Sequence, residues 1–196
     1  SVADAVIDRA DNADAIIGAL SAAPMSDGAA LARAALLERT GRWREAAESV
    51  ASRAWTGPMK PAGLGMQIRL AMRAGGFGEA EALFAQLVLA AQETPDGIRA
   101  VIAAALDMQR PGVALDAARS LWVRGDNSRS VGVDDCIRAA TAALLLDREQ
   151  DVVDFLRRGI ASDRYDERSY EGLFRVYAPP GERPDNEKIG EVARQL

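Results

Sequence analysis

Apolar residues recur along this chain at the spacing of one helical face. Leu83, Phe84, Leu87 and Val88 form such a stripe, and Ile189, Val192, Ala193 and Leu196 form another at the end of the sequence. With the turn residues between stripes, this spacing predicts helices over 2–9, 12–20, 27–39, 43–54, 62–74, 78–91, 96–108, 112–124, 133–146, 149–161, 166–178 and 186–196. They group into six pairs, the first of them short.

Sliding the chain along itself by 34 residues brings GRWREA (41–46) onto GGFGEA (75–80). Gly41 meets Gly75, Trp43 meets Phe77, Glu45 meets Glu79 and Ala46 meets Ala80. The same shift places Pro24 on Pro58 and Ile16 on Val50, and one more shift places Ala80 on Ala114. Each element has a mechanical reason. Glycine after a helical run can take the left-handed conformation that ends a helix, and the aromatic two residues later covers the corner. Glutamate in the next first turn suits the positive end of the helix dipole. Alanine belongs where two helices cross closely, and proline twelve residues on stops the second helix. In the third repeat Pro111 and Gly112 stand in for the glycine corner. GDNSRSVGVDD after Arg124 lengthens a loop by about four residues, and the frame resumes with Val152 in the alanine slot.

This pattern resembles the tetratricopeptide repeat family, most closely over 27–60 and 61–94 and less so over 95–124. The resemblance implies an all-α fold, a right-handed α-solenoid of about six antiparallel helix hairpins. Each hairpin would leave an apolar face that only the next can cover, which predicts one array over 1–196 without an internal domain boundary. RAGGFGEAEALFAQL followed by TPD also resembles the pentatricopeptide repeat, whose helical hairpins each read one RNA base.

Composition agrees with helices. The 196 residues are 48% hydrophobic and 27% charged, with only 5% aromatics. A formal charge of −5 and a pI near 4.9 run against a protein whose affinity comes from neutralising phosphates, so RNA is the second reading. Only Lys60 and Lys188 are lysines among the 24 basic residues. A single cysteine, Cys136, permits no internal disulfide, and no run of about 18 apolar residues predicts a membrane span. A reducing cytoplasm is the default expectation. The first residue and the amphipathic end KIGEVARQL suggest a segment of a longer protein.

Candidate chemistry is sparse. GLG (63–65) and GGFG (75–78) complete neither a dinucleotide nor a Walker pattern, and neither follows a strand. The chain has no histidine, which removes Ser-His and Cys-His nucleophile systems and leaves zinc with carboxylates and one thiol. Cys136 reads as a small buried hydrophobe. The adjacent carboxylates Asp134 and Asp135, and Asp166 and Glu167, read as helix caps and first-turn charges. Asp126, Asn127, Ser128 and Ser130 offer oxygens, but the loop lacks the glycine and the distal glutamate of a helix-loop-helix calcium site. An enzyme on a helical toroid, a carbohydrate-active one using carboxylates with Tyr165, Tyr170 or Tyr177, finds no supporting carboxylate spacing. No catalytic residue, metal site or cofactor is expected.

First helices line the concave side of such arrays, the usual ligand surface. Counting back from the alanine slots by the family's frame, the inward positions are Leu31, Ala35, Glu38 and Arg39, then Gly65, Arg69, Met72 and Arg73. Asp96, Arg99, Ala103, Leu106 and Asp107 follow in the third repeat. Arg39, Arg69, Met72, Arg73, Arg99 and Leu106 are therefore the candidate partner-binding residues, the guanidinium groups offering forked donors to a carboxylate-bearing peptide. The competing expectation is that these arginines pair with Glu38, Asp96 and Asp107 on the same face. Family members that clamp a peptide carboxylate use Asn where Ala35 and Ala103 stand, so that specificity does not carry over. A non-catalytic scaffold for a protein or peptide partner is the reading that fits.

Overall fold

The computed structural model describes residues 10–22, 26–91, 94–124, 131–181 and 183–194. Among them are eleven α-helices, one 3-10 turn (Gly57–Met59) and no strand. The helices are α1 (Ala10–Ala22), α2 (Asp27–Arg39), α3 (Trp43–Ala51), α4 (Lys60–Ala74), α5 (Phe77–Ala91) and α6 (Pro95–Asp107). They continue as α7 (Pro111–Arg124), α8 (Val133–Leu144), α9 (Glu149–Ser162), α10 (Glu167–Tyr177) and α11 (Asn186–Ala193). The expected helix at 2–9, Pro24 and the loop oxygens of 126–130 lie outside the described residues. The chain forms two compact units, Ser1–Ala104 and Ala105–Leu196, and the division falls inside α6.

Four helix ends share one geometry. Gly41 and Gly75 adopt φ of 80° and 79°, and the amide after each reaches back to the preceding helix, Arg42 N to Leu37 O at 2.8 Å and Gly76 N to Ala71 O at 2.9 Å. The left-handed residue itself donates to a second carbonyl, Gly41 to Glu38 and Gly75 to Met72, both at 3.1 Å. These paired bonds satisfy carbonyls the helix would otherwise leave open. The corner recurs where the letters give no hint of it: Gln109 and Asp147 both sit at φ 55°, with Arg110 N on Ala105 O at 2.7 Å and Arg148 N on Ala143 O at 3.0 Å. In the third repeat, then, Pro111 and Gly112 do not form the corner. Gln109 forms it, and Pro111 starts α7, where its missing amide costs nothing. Trp43 and Phe77 occupy the same place, the first residue of the second helix, although Phe77 stays exposed.

The alanine slots behave as crossings. Ala46, Ala80 and Ala114 are fully buried and Val152 nearly so. In the first unit, Leu36 and Leu37 of α2, Val50 of α3 and Leu70 of α4 pack with Ala13 and Ile17 of α1 into one cluster. Burying a side chain such as Leu37 stabilises by about 1.5–3 kcal/mol. Helix α3 ends at Ala51, short of the expected 54. At its end buried Gln67 of α4, one repeat ahead, donates its amide to Val50 O at 2.6 Å and to Arg53 O, just beyond the helix, at 3.3 Å, adding to the backbone bond from Arg53 N to Val50 O at 3.1 Å. Trp55 then turns inward onto Gly63, where a Cβ would collide with the indole. Gly63 is a packing glycine inside a helix, not part of a phosphate loop.

In the second unit α7 packs on α8, α8 on α9, α9 on α10 and α10 on α11, and the first helices α8 and α10 also touch each other. In the first unit α2 and α4 touch in the same way. Gly159 of α9 lets Ser169 of α10 and Cys136 of α8 close in, since a Cβ there would fall on Ser169 Oγ and within 3.4 Å of Cys136 Cβ. Contact of each first helix with both neighbours gives each unit the stacking of a helical-repeat array.

Candidate functional site

In the first unit the inward slots of α2 and α4 meet at Glu38. Arg69 Nη2 lies 3.0 Å from one carboxylate oxygen of Glu38, and Arg73 Nη1 lies 3.5 Å from the other. Glu38 is the most enclosed of the three, its side chain 13% exposed against 39% for Arg69 and 52% for Arg73. Two guanidinium groups thus share one carboxylate, and the trio carries one positive charge beyond balance. Arg69 Nη2 also lies 3.3 Å from Met66 Sδ, while Arg69 Nε is buried without a hydrogen-bond partner among the described residues. Half-buried Met72 stands between the two arginines in sequence. Arg39 is exposed in the last turn of α2.

Arg99 is engaged within its own helix, Nη1 to Asp96 Oδ1 at 2.8 Å. Leu106 is half-buried near the end of α6 and belongs to the second unit. Of the candidate set, then, Arg69 and Arg73 are brought together through Glu38. Pairing with Glu38 and Asp96 is the self-neutralising arrangement that the sequence also allowed, and such exposed pairs stabilise by about 0–1 kcal/mol each.

The second unit holds a groove of about 900 Å³ between α8 and α10. Its floor comes from Ile137, Ala140 and Leu144 of α8 and from Gly172 and Val176 of α10. The repeat frame locates it. Counting back from Val152 by the offsets that give Gly65, Arg69, Met72 and Arg73 from Ala80 yields Ile137, Thr141, Leu144 and Leu145. One repeat further the same offsets yield Glu171, Arg175, Ala178 and Pro179. Six of these eight line the groove, all but Leu145 and Ala178. The assignment of inward residues stopped at Asp107, ahead of the lengthened loop, and so passed over the region where the frame meets an open cavity.

The remaining candidates hold the fold. Asp135 accepts from Gly132 N at 3.2 Å, and Asp166 caps α10 by accepting from Arg168 N at 3.1 Å. Arg168 bridges repeats, its Nη1 on Asp134 Oδ1 at 2.6 Å and its Nη2 on Asp166 Oδ2 at 2.7 Å. The hydrogen bonds from Arg168 hold the Asp166 carboxyl below its ordinary value. Burial, then the nearby Asp135 charge, pushes the Cys136 thiol up to about 11, which keeps it protonated and inert at neutral pH. Tyr170 is buried and donates to Arg164 O at 3.2 Å, and Tyr177 lies under Lys188 Nζ at 5.2 Å. Tyr165 is exposed beside Arg164. Among the described residues no group of three or more His, Cys, Asp or Glu is placed to hold a metal ion, and no helix is long and apolar enough to cross a membrane.

A tetratricopeptide repeat protein from Parabacteroides merdae ATCC 43184, known from a crystal structure at 2.39 Å resolution, has a similar fold. Its TM-score to this chain is 0.54 at 18% sequence identity, over 94% of this chain and 67% of that one. No family model matches the sequence, and no curated protein matches it. The chain is an all-α helical-repeat protein of the tetratricopeptide-like fold, as its corners and slots imply.

Proposed function

We propose that this protein is a non-catalytic interaction scaffold that binds a peptide segment of a protein partner along the inward slots of its first helices. Arg39, Arg69, Met72, Arg73 and Arg99 carry this role in the first unit, and Leu106 is a separate candidate in the second. The supporting observation is the convergence of Arg69 and Arg73 on the single carboxylate of Glu38. It leaves one surplus positive charge 3.3 Å from the Met66 thioether, where Arg69 Nη2 lies, a setting that suits a carboxylate next to an apolar side chain. A phosphate backbone demands more. The surplus at Glu38 is a single charge and Arg99 is paired with Asp96, less clustered positive charge than a phosphate backbone needs, which supports a protein ligand over RNA.

The test is affinity capture from the host cell with the native protein and with Arg69→Glu combined with Arg73→Glu. Circular dichroism first establishes that the variant remains folded. The proposal expects at least one protein recovered with the native form and lost with the variant. Recovery of the same proteins in the same amounts with both forms would count against it.

A further inference from the structure

The second helices of the second unit, α7 and α9, stand side by side. The Trp122 and Phe155 rings meet at 5.0 Å between centroids, and Arg119 Nη2 lies 2.9 Å from Asp151 Oδ2. Residues spaced four, three and four apart fall on one stripe of a helix. On α7 the stripe opposite buried Ala114, Leu115, Ala118 and Leu121 is Gly112, Asp116, Arg119 and Val123. All four are exposed, Val123 at 86%. On α9 the stripe opposite buried Val152, Phe155, Leu156 and Gly159 is Gln150, Asp154, Arg157 and Ala161, again all exposed.

Both stripes match themselves when turned end for end. Asp116 and Arg119 lie equally far on either side of the midpoint between Ala117 and Ala118, and so do Gly112 and Val123. Asp154 and Arg157 lie in the same way about the midpoint between Phe155 and Leu156, as do Gln150 and Ala161. The two midpoints are 38 residues apart, the separation of the equivalent corners Gln109 and Asp147. One two-fold axis across both helices therefore sets each of these aspartates opposite an arginine of a second copy, and each Val123 opposite a Gly112. A parallel approach would set like charges together. The charges are free to pair in this way. Asp116 and Arg119 do not pair with each other, nor do Asp154 and Arg157, and Asp116 and Arg157 make no ion pair among the described residues. Asp154 accepts from Gln150 Nε2 at 2.9 Å, which leaves its charge unneutralised. Arg119 has the one carboxylate of Asp151, and Arg158 lies over Trp122, its Cζ 5.8 Å from the ring centroid. At Gly112 a Cβ would meet nothing within 4 Å, so the gap facing Val123 is open.

We infer that two copies of this chain associate through α7 and α9, antiparallel and about a two-fold axis. Asp116 meets Arg119 and Asp154 meets Arg157 of the other copy, in both directions, and Val123 enters the gap at Gly112. Each stripe runs about 17 Å and the two helices together are about 20 Å wide, so each copy covers roughly 350 Å², less than half of the roughly 800 Å² per partner of a stable complex. The pairing is accordingly weak and reversible, with a dissociation constant on the order of tens of micromolar. It uses second helices and leaves Arg69 and Arg73 untouched, so this inference and the peptide-binding proposal can fail separately.

Sedimentation velocity of the full chain, at concentrations below and above that constant, is the test. The native protein moves from monomer to dimer across this range at low salt, and back toward monomer as salt rises. Asp154→Arg and Arg157→Asp each place like charges across the axis on α9, and each weakens self-association about tenfold or more. An equimolar mixture of these two variants, one carrying a fluorophore, pairs as strongly as the native protein, because every charge on α9 then faces its opposite. Gly112→Leu closes the gap before Val123 and also weakens pairing about tenfold or more. Its thermal midpoint stays level or rises, since the added Cβ meets nothing within the chain and glycine is a poor helix residue. Circular dichroism confirms that each variant is folded. A native protein that stays monomeric throughout, a dimer insensitive to the α9 charge reversals or to Gly112→Leu, or a mixture that pairs no better than either variant alone would each overturn the inference.

Discussion

The four equivalent corners allow a stability prediction whose sign changes with the residue replaced. At Gly75 the left-handed conformation, φ 79°, costs glycine nothing, and a Cβ added there meets nothing within 4 Å. Gly75→Ala therefore isolates backbone strain, which is about 1–2 kcal/mol for a side-chain-bearing residue in this region. Alanine also narrows the unfolded ensemble, which offsets about 0.5–1 kcal/mol of that. The net is a loss of about 1 kcal/mol. At Gln109, φ 55°, the same arithmetic runs backwards, and Gln109→Gly gains about 0.5–1 kcal/mol. Urea unfolding followed by far-ultraviolet circular dichroism measures both. With a slope of about 2 kcal/mol per molar, the midpoint falls by roughly 0.5 M for the first and rises by about half that or more for the second. The slope itself stays constant in each case. A Gly75→Ala protein as stable as the native one, or a destabilised Gln109→Gly protein, would refute the assignment of these residues to one shared corner.

Other consequences are as direct. Gly159→Ala sets a methyl group against Ser169 Oγ and is expected to cost about 1–3 kcal/mol; adding Ser169→Ala recovers much of this, measured by the shift in thermal midpoint. The Asp27 carboxyl is held below its ordinary value of 3.8 first by the Arg53 hydrogen bond and then by the Thr56 amide. A folded-state value below the unfolded one means that this contribution is present above about pH 4 and is lost as pH falls through and below that value. Asp27→Asn should accordingly flatten the acid limb of a stability-against-pH curve and leave its neutral plateau lower. Cys136, nearly fully buried and raised to about 11, should resist alkylation by iodoacetamide at mildly alkaline pH and react fully once the chain is unfolded. Rapid labelling of the folded protein would contradict its place in the core.

Much of the fold was legible because the repeat writes its mechanics in residue types. Gly41 and Gly75 marked two corners, and the alanine slots marked crossings that the structure buries. The other two corners were not legible, since Gln109 and Asp147 take the left-handed conformation with side chains that carry no such signal. Asp147 falls 38 residues after Gln109, where the first three corners are 34 apart, which places the loop extension of about four residues without disturbing the corner. The early end of α3 was not legible, since the bonds made at that end, from Gln67 of the next repeat to Val50 O and Arg53 O, join residues far apart in sequence. At the candidate site the sequence supplied both outcomes for the arginines, and Glu38 between Arg69 and Arg73 shows how they pair. The groove of the second unit was readable in principle from Val152. What periodicity could not give is the close approach of Gly172 to Leu156, or which of the charges around the groove pair with one another.

The account turns on first helices, not second helices, meeting the partner. Site-specific photo-crosslinking in the host cell tests this most directly, with a benzophenone amino acid placed in turn at Met72 and Leu144 on first helices and at exposed Leu89 and Val123 on second helices. Adducts of the chain with a second copy of itself aside, the account predicts discrete adducts of higher mass from Met72 or Leu144 and none from Leu89 or Val123. Adducts with another protein arising from Leu89 and Val123 alone, or equally from all four positions, would contradict it.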